Sequence, residues 1–112
     1  MPERLALDGM SPALAVTADG SLVLGYRVCA PEGGRTGPGV RLATSTDAGR
    51  TWNDELDLVD PSGYRWTSEY QCGYPDIAEL DDGTLVVCFY SYDPALPHRR
   101  YVAVNRVIRP QR

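Results

Sequence analysis

The sequence predicts an all-β protein, and three observations support this prediction. Short runs rich in Val, Leu, Tyr and Thr alternate with clusters of Gly, Pro and Asp, and helical spacing of apolar residues is hard to find. Two segments, 12–26 and 75–89, align without a gap, and each carries a central Asp-Gly pair. An Asp-Gly pair between apolar runs is the strongest short-range signal for a β-hairpin. We therefore expect two similar hairpins joined by a long connection.

The first hairpin opens a unit of four predicted strands. Its second strand, 22–29, is apolar on both faces, as expected for a strand packed between two layers. A loop rich in Gly and Pro over 31–38 leads to a third strand, 40–44, and a fourth strand extends from 51 to about 59. The four strands are expected to form one antiparallel sheet.

A second unit repeats this order with only three strands. Its hairpin is followed by a loop at 94–97 and a third strand over 101–108. A shift by the repeat offset places Ile108 where Ser45 stands in the first unit, so the equivalent fourth strand would begin beyond the sequence. Residues 4–8, Arg-Leu-Ala-Leu-Asp, are a candidate for that strand, in the same chain or in a neighbouring copy.

The most specific motif of the chain lies at 45–52, Ser-Thr-Asp-Ala-Gly-Arg-Thr-Trp. An Asp side chain accepts hydrogen bonds from backbone N–H groups just ahead of it, and Gly readily adopts positive φ. A Trp after the turn can cover the hairpin with a large apolar surface. The motif predicts a tight turn between the third and fourth strands, formed by Ser45, Asp47, Gly49, Thr51 and Trp52.

Repeated four-stranded sheets that need cover on both faces are typical of β-propeller blades. We assign 9–62 to a first blade and 63–112 to a second blade that lacks its fourth strand. A propeller needs about four to eight blades to close its ring. The chain is therefore expected to need further blades of a longer propeller, or self-association with other copies, to complete a ring.

The pattern Ser-x-Asp-x-Gly-x-Thr-Trp resembles the Asp-box of the sialidase (neuraminidase) superfamily, whose six-bladed propellers carry it on successive blades. Segments 73–85 and 101–107 also resemble the start and the closing strand of a late blade in that family. The resemblance implies a glycoside hydrolase that acts on terminal sugars of glycoconjugates, such as sialic acid. It also implies that the five motif residues are structural, because the family's Asp-boxes lie on an outer turn away from the catalytic pocket.

The resemblance implies a set of substrate-contacting residues as well. The family uses a tyrosine nucleophile activated by a Glu, because a neutral phenol approaches the negatively charged sugar without repulsion. By position Tyr74 is this tyrosine, and Glu69 is its candidate partner. Arg65 is a candidate for binding a carboxylate, and Trp66 and Tyr70 for stacking on a sugar. The alternative roles are packing for the aromatic residues and solvated loop charges for the other two.

Two positions depart from the family pattern. The family has Ser after its tyrosine, where this chain has Pro75, and the tripeptide at the position of the family's Arg-Ile-Pro motif is Met-Ser-Pro at 10–12. In a fragment the family's arginine would lie upstream, whereas in a complete chain its absence argues against sialic acid as the substrate. The family pocket also draws residues from most of the ring. We therefore expect the isolated chain to be inactive. The alternative function is a non-catalytic propeller module that binds glycan or protein.

Composition argues against several other classes. The net charge of −4, with acidic and basic residues interleaved, argues against binding to nucleic acid or to an anionic membrane surface. There is no segment as apolar as a membrane span and no signal-peptide pattern, which indicates either a cytoplasmic chain or a piece of a longer protein, and the sequence does not decide the compartment. Three scattered cysteines and the single His98 predict neither a disulfide framework nor a metal site, and no cofactor is expected.

Overall fold

The computed structural model describes residues 2, 4–5, 9–28, 39–58, 73–93 and 96–108. Within these ranges the chain is all-β, as predicted, with no helix. The described strands are β1 (Gly9–Val16), β2 (Leu22–Val28), β3 (Gly39–Ser45), β4 (Asn53–Asp57), β5 (Gly73–Glu79), β6 (Leu85–Asp93) and β7 (Leu96–Val107).

The strands form two antiparallel sheets. The first sheet has the order β1-β2-β3-β4, and the second sheet has the order β5-β6-β7. Each strand pairs with the strand before it in the sequence, so both sheets are meanders. The predicted four-stranded first sheet is confirmed, and three strands of the second are present in the described part of the chain.

The sequence repeat is also a structural repeat. In the turn between β1 and β2, Gly20 N donates to Thr17 O at 2.9 Å, and in the turn between β5 and β6, Gly83 N donates to Leu80 O at 2.9 Å. The two glycines have φ of 85° and 88°. This left-handed region favours glycine, which explains why an Asp-Gly pair stands at both places.

Two predicted strand boundaries were wrong. β4 begins at Asn53 and not at 51, because the Thr51 N–H donates to the Asp47 carboxylate at 2.8 Å and takes part in the turn. β7 begins at Leu96, inside the predicted loop, because Asp93 pairs with Leu96 after a register shift. Pro97 has no backbone N–H to donate. It is tolerated there because β7 is an edge strand of the described sheet, and every second N–H of an edge strand points away from the sheet.

A shared core holds the two sheets face to face. β5 lies over β1 and β2, where a Cβ built on Gly25 would be 3.1 Å from Ile77 Cδ1 and 3.4 Å from Pro75 Cβ. Gly25 therefore allows the close approach of the sheets. The core side chains between the sheets are at most 5% exposed and are Val23, Val40, Leu42, Leu85, Val87 and Phe89.

Several predictions concern residues that the structure does not describe. The candidate strand at 4–8 falls mostly outside the described residues, and Arg4 and Leu5 belong to no strand. The predicted boundary between the blades, at 62 and 63, also lies outside them. These assignments stay predictions.

Candidate functional site

Tyr74 is the predicted substrate-contacting residue that the structure describes. It is the second residue of β5, and 70% of its surface is exposed. Its ring stacks on that of Tyr90 in β6, with the centroids 5.6 Å apart and the planes at 28°. This spacing is in the favoured range for aromatic pairs. The two rings form an aromatic surface where β5 begins.

A β-bulge positions Tyr74. Its φ is 50°, which is rare for a residue with a side chain. The register between β5 and β6 shifts between Gly73 and Asp76, so two residues of β5 stand opposite one residue of β6. The bulge turns Tyr74 towards Tyr90, while Pro75 lies against the first sheet.

The first sheet contains the same bulge at Ser11, which has φ of 54°. The register between β1 and β2 shifts at this place as well. The positive φ at this position is therefore a property of the repeat. The two sheets differ in the side chain at the bulge, which is Ser11 in the first sheet and Tyr74 in the second. Sequence reasoning missed the bulge, although a Pro follows in both copies, at Pro12 and Pro75.

Arg27 is a candidate that sequence reasoning did not identify. It is half-buried near the end of β2, and its Cβ, Cγ and Cδ atoms lie 3.0 to 3.3 Å from the position that a Cβ on Gly73 would occupy. The stem of Arg27 thus packs on the backbone just before Tyr74. A lone Arg inside a strand carries no sequence signal for this role, because its neighbour belongs to the other sheet.

The remaining predicted substrate-contacting residues lie outside the described residues. They are Glu69, Arg65, Trp66 and Tyr70. Their roles stay predictions, and the described part of the candidate site consists of Tyr74, Tyr90 and Arg27.

The turn at 45–52 is closed by a network of hydrogen bonds. Ser45 Oγ donates to Asp47 Oδ1 and accepts from Gly49 N, both at 2.8 Å. Thr51 donates to the Asp47 carboxylate twice, from its N–H at 2.8 Å and from its hydroxyl at 2.5 Å. Trp52 Nε1 donates to Gly49 O at 3.1 Å, and its half-buried ring packs against the hairpin. The sequence motif is thus a set of mutually bonded turn residues.

These donors control the charge of Asp47. The Thr51 hydroxyl, then the Thr51 N–H and the Ser45 hydroxyl, lower the pKa of Asp47 from 3.8 to about 2. A hydrogen bond to the charged form of a carboxylate favours that form. Asp47 is therefore ionised at neutral pH and has no proton to donate.

Asp47 and Tyr74 lie at opposite ends of the sheets. Ser45 ends β3 opposite the first residue of β2, so the turn of Asp47 is next to the turn between β1 and β2. From that second turn, Ala18 N donates to Glu79 Oε1 at 2.8 Å, at the end of β5. Tyr74 stands at the start of β5. The motif therefore supports the fold at a distance from Tyr74.

The described ranges show neither a metal-binding cluster nor a membrane-spanning helix. No group of three or more His, Cys, Asp or Glu side chains is arranged there to hold a metal ion. In the same ranges, no helix has the length and apolar character needed to cross a membrane. Neither a comparison with protein-family models nor one with curated proteins gave a match.

Proposed function

We propose that this chain forms two blades of a sialidase-like β-propeller that acts on terminal sugars of glycoconjugates, with Tyr74 as the residue that meets the sugar. The observation that carries the proposal is the exposed Tyr74 ring, stacked on Tyr90 and held at a β-bulge. Bulges are frequent next to binding and active sites, where they re-aim a side chain.

The relation between the two sheets supports the propeller part of the proposal. The first three strands of each sheet have the same order and the same bulge. The sheets also stack with corresponding ends together. At one end the Arg27 side chain packs on Gly73, and at the other end the Ala18 N–H donates to the Glu79 carboxylate. Stacked copies of one antiparallel sheet are what successive propeller blades require.

The side chains around Tyr74 support a sugar as the ligand. An exposed aromatic face covers the apolar face of a sugar ring, and the phenol adds a hydrogen-bonding group. Arg27 brings a positive charge to the same end of the sheets, which suits an acidic sugar such as sialic acid. In a hydrolase the Tyr74 hydroxyl would lose its proton to a base and bond to the anomeric carbon as the glycosidic C–O bond breaks, and an acid on a further blade would protonate the leaving oxygen. In a non-catalytic module it would only bind.

Sugar binding is tested with the full chain and a sialylated trisaccharide, followed by NMR titration. We expect Tyr74→Ala to weaken binding about tenfold, as loss of an aromatic contact worth ~1.5 kcal/mol would do. Tyr101→Ala is the matched control, since Tyr101 is a tyrosine of β7 that is 46% exposed. Unchanged binding in Tyr74→Ala, or no binding by the unmodified chain, would contradict the proposal.

A second measurement separates catalysis from binding. Turnover of a fluorogenic aryl sialoside by the unmodified chain, abolished in Tyr74→Phe, would identify a hydrolase with Tyr74 as nucleophile. Binding that persists in Tyr74→Phe, without turnover by either protein, would show that these two blades bind the sugar without hydrolysing it.

A further inference from the structure

We infer that two copies of this chain dock head to tail, with the outer face of the second sheet in one copy covering the outer face of the first sheet in the other. The outer face of the second sheet is formed by Val86, Cys88, Val102 and Val104. The accessible part of the outer face of the first sheet is formed by Leu14, Val16, Leu22 and Leu24. Each is the face turned away from the core between the sheets. Tyr26, Val28 and Ala43 lie on the same face of the first sheet and are buried within the chain.

The strand registers show which residues of the two sheets correspond. In the first sheet Gly25 of β2 pairs with Leu42 of β3, and in the second sheet Cys88 of β6 pairs with Val104 of β7. Gly25 and Cys88 are at the same place in the sequence repeat. Val104 is therefore the counterpart of Leu42. By the same register the counterpart of Ser45 is Val107. The sequence offset predicts Ile108, one residue later.

Counterparts on this face differ sharply in exposure. Leu42 and Val40 are 3% and 0% exposed, because the second sheet covers them. Their counterparts Val104 and Val102 are 50% and 78% exposed. The second sheet therefore leaves open the apolar face that the first sheet buries.

The opposite face shows the converse relation. Ile77 of β5 pairs with Val87 and packs in the core between the sheets. Its counterpart in the first sheet is Leu14, which pairs with Leu24 of β2. Leu14 is 60% exposed. At β1 the first sheet therefore leaves open the apolar positions that the second sheet buries at β5, whereas the part of this face at Tyr26, Val28 and Ala43 is buried within the chain.

These two relations identify the partner. The contact inside the chain joins two different faces, and each copy retains an exposed apolar area on one face of each kind, at Val102 and Val104 and at Leu14 and Val16. A second copy presents the face that fits each of them, in the arrangement already used between the two sheets. Contacts of this kind are heterologous, and they build rings when the rotation closes and open stacks when it does not.

Docking leaves Tyr74 accessible. Its counterpart Ser11 is only half-buried although the second sheet lies over β1. Tyr74 is therefore expected at the rim of the docked face, with Val104 near its centre. The inference does not depend on sugar binding.

The test places one charge on each face and measures the mass in solution by sedimentation velocity. The unmodified chain is expected to associate with increasing concentration. Val104→Arg blocks the second sheet's face and Leu14→Arg blocks the first sheet's face, so each variant alone is expected to be a monomer. Both positions are at least half exposed, and circular dichroism checks that each variant keeps its β structure.

Mixing the two variants makes the test specific for head-to-tail docking. Each variant keeps the face that the other has lost, so an equimolar mixture is expected to give a 1:1 dimer and nothing larger. Leu56→Arg is the control, because Leu56 is 43% exposed on β4 and lies on neither outer face. It should associate like the unmodified chain.

Three results would overturn the inference. If the unmodified chain is monomeric at every concentration, a second copy does not cover the two faces. Variants that still associate would place the contact elsewhere. A mixture that stays monomeric would exclude the head-to-tail pairing of the two faces.

Discussion

Asp47 accepts hydrogen bonds from Thr51 through both of its carboxylate oxygens. The Thr51 N–H donates to Oδ1 and the Thr51 hydroxyl donates to Oδ2. The pair closes the turn between β3 and β4 and fixes where β4 starts. Because the bonds from Thr51 favour the ionised carboxylate, the stability of the fold depends on the charge of Asp47.

The first prediction concerns the pH dependence of stability. The pKa of Asp47 is about 2 in the folded chain against an ordinary 3.8, so folding favours the ionised form. The stabilisation from Asp47 is therefore fully present above pH 3.8 and is lost as the pH falls towards 2. We expect the urea midpoint of unfolding to decrease over this interval.

Asp47→Asn is the comparison for this measurement, because it removes the titrating group and keeps one oxygen acceptor. The variant should be less stable at neutral pH, and its urea midpoint should decrease less between pH 4 and pH 2. Some acid sensitivity will remain, because the Thr84 N–H also lowers the pKa of Asp82. An equal decrease in both proteins would contradict the role of Asp47.

The turns could be predicted from the sequence, because their conformations depend on nearby residues. In Asp19-Gly20 and Asp82-Gly83 a residue that tolerates positive φ directly follows an acceptor side chain, and the N–H that donates to this side chain is two positions after the Asp. The motif at 45–52 works in the same local way. Fold class and strand order followed from these turns and from the apolar runs between them.

The geometry around Tyr74 could not be predicted, because it depends on pairing between distant strands. The stack of Tyr74 on Tyr90 requires the register of β5 and β6 and the bulge in it. The contact of Arg27 with Gly73 requires the packing of one sheet on the other. Neither leaves a pattern in neighbouring residues, so the sequence indicated Tyr74 only through a resemblance and did not indicate Arg27.

The second prediction tests the left-handed glycine of the first hairpin. Gly20 has φ of 85°, and a Cβ there would meet nothing within 4 Å. Gly20→Ala therefore suffers only backbone strain, which we expect to destabilise the fold by about 1–2 kcal/mol in urea unfolding. Gly20→Asn should be milder, because Asn tolerates this conformation. Equal stability of the Ala variant and the unmodified chain would show that the turn relaxes freely.

The third prediction concerns a hydrogen bond between the sheets. Asn105 Nδ2 of β7 donates to Leu58 O at 3.0 Å in a half-buried position. Asn105→Asp puts a carboxylate oxygen against that carbonyl, and we expect a loss of about 1–3 kcal/mol at neutral pH. Asn105→Ala removes the donor without adding repulsion and should lose less. If both variants unfold at the same urea concentration as the unmodified chain, the bond contributes nothing to stability.

The fourth prediction tests the close approach of the sheets at Gly25. A Cβ at this position would be 3.1 Å from Ile77 Cδ1 and 3.3 Å from Leu42 Cδ2, so Gly25→Ala forces these side chains apart. We expect the overpacking to destabilise the fold by about 1–3 kcal/mol. Ile77→Val removes the Cδ1 atom and alone should lose about 0.5–1.5 kcal/mol. Because the second change relieves the clash of the first, the double variant should be more stable than the sum of the two losses predicts, which urea unfolding of all four proteins measures. Strict additivity would mean that Ile77 does not limit the space at Gly25.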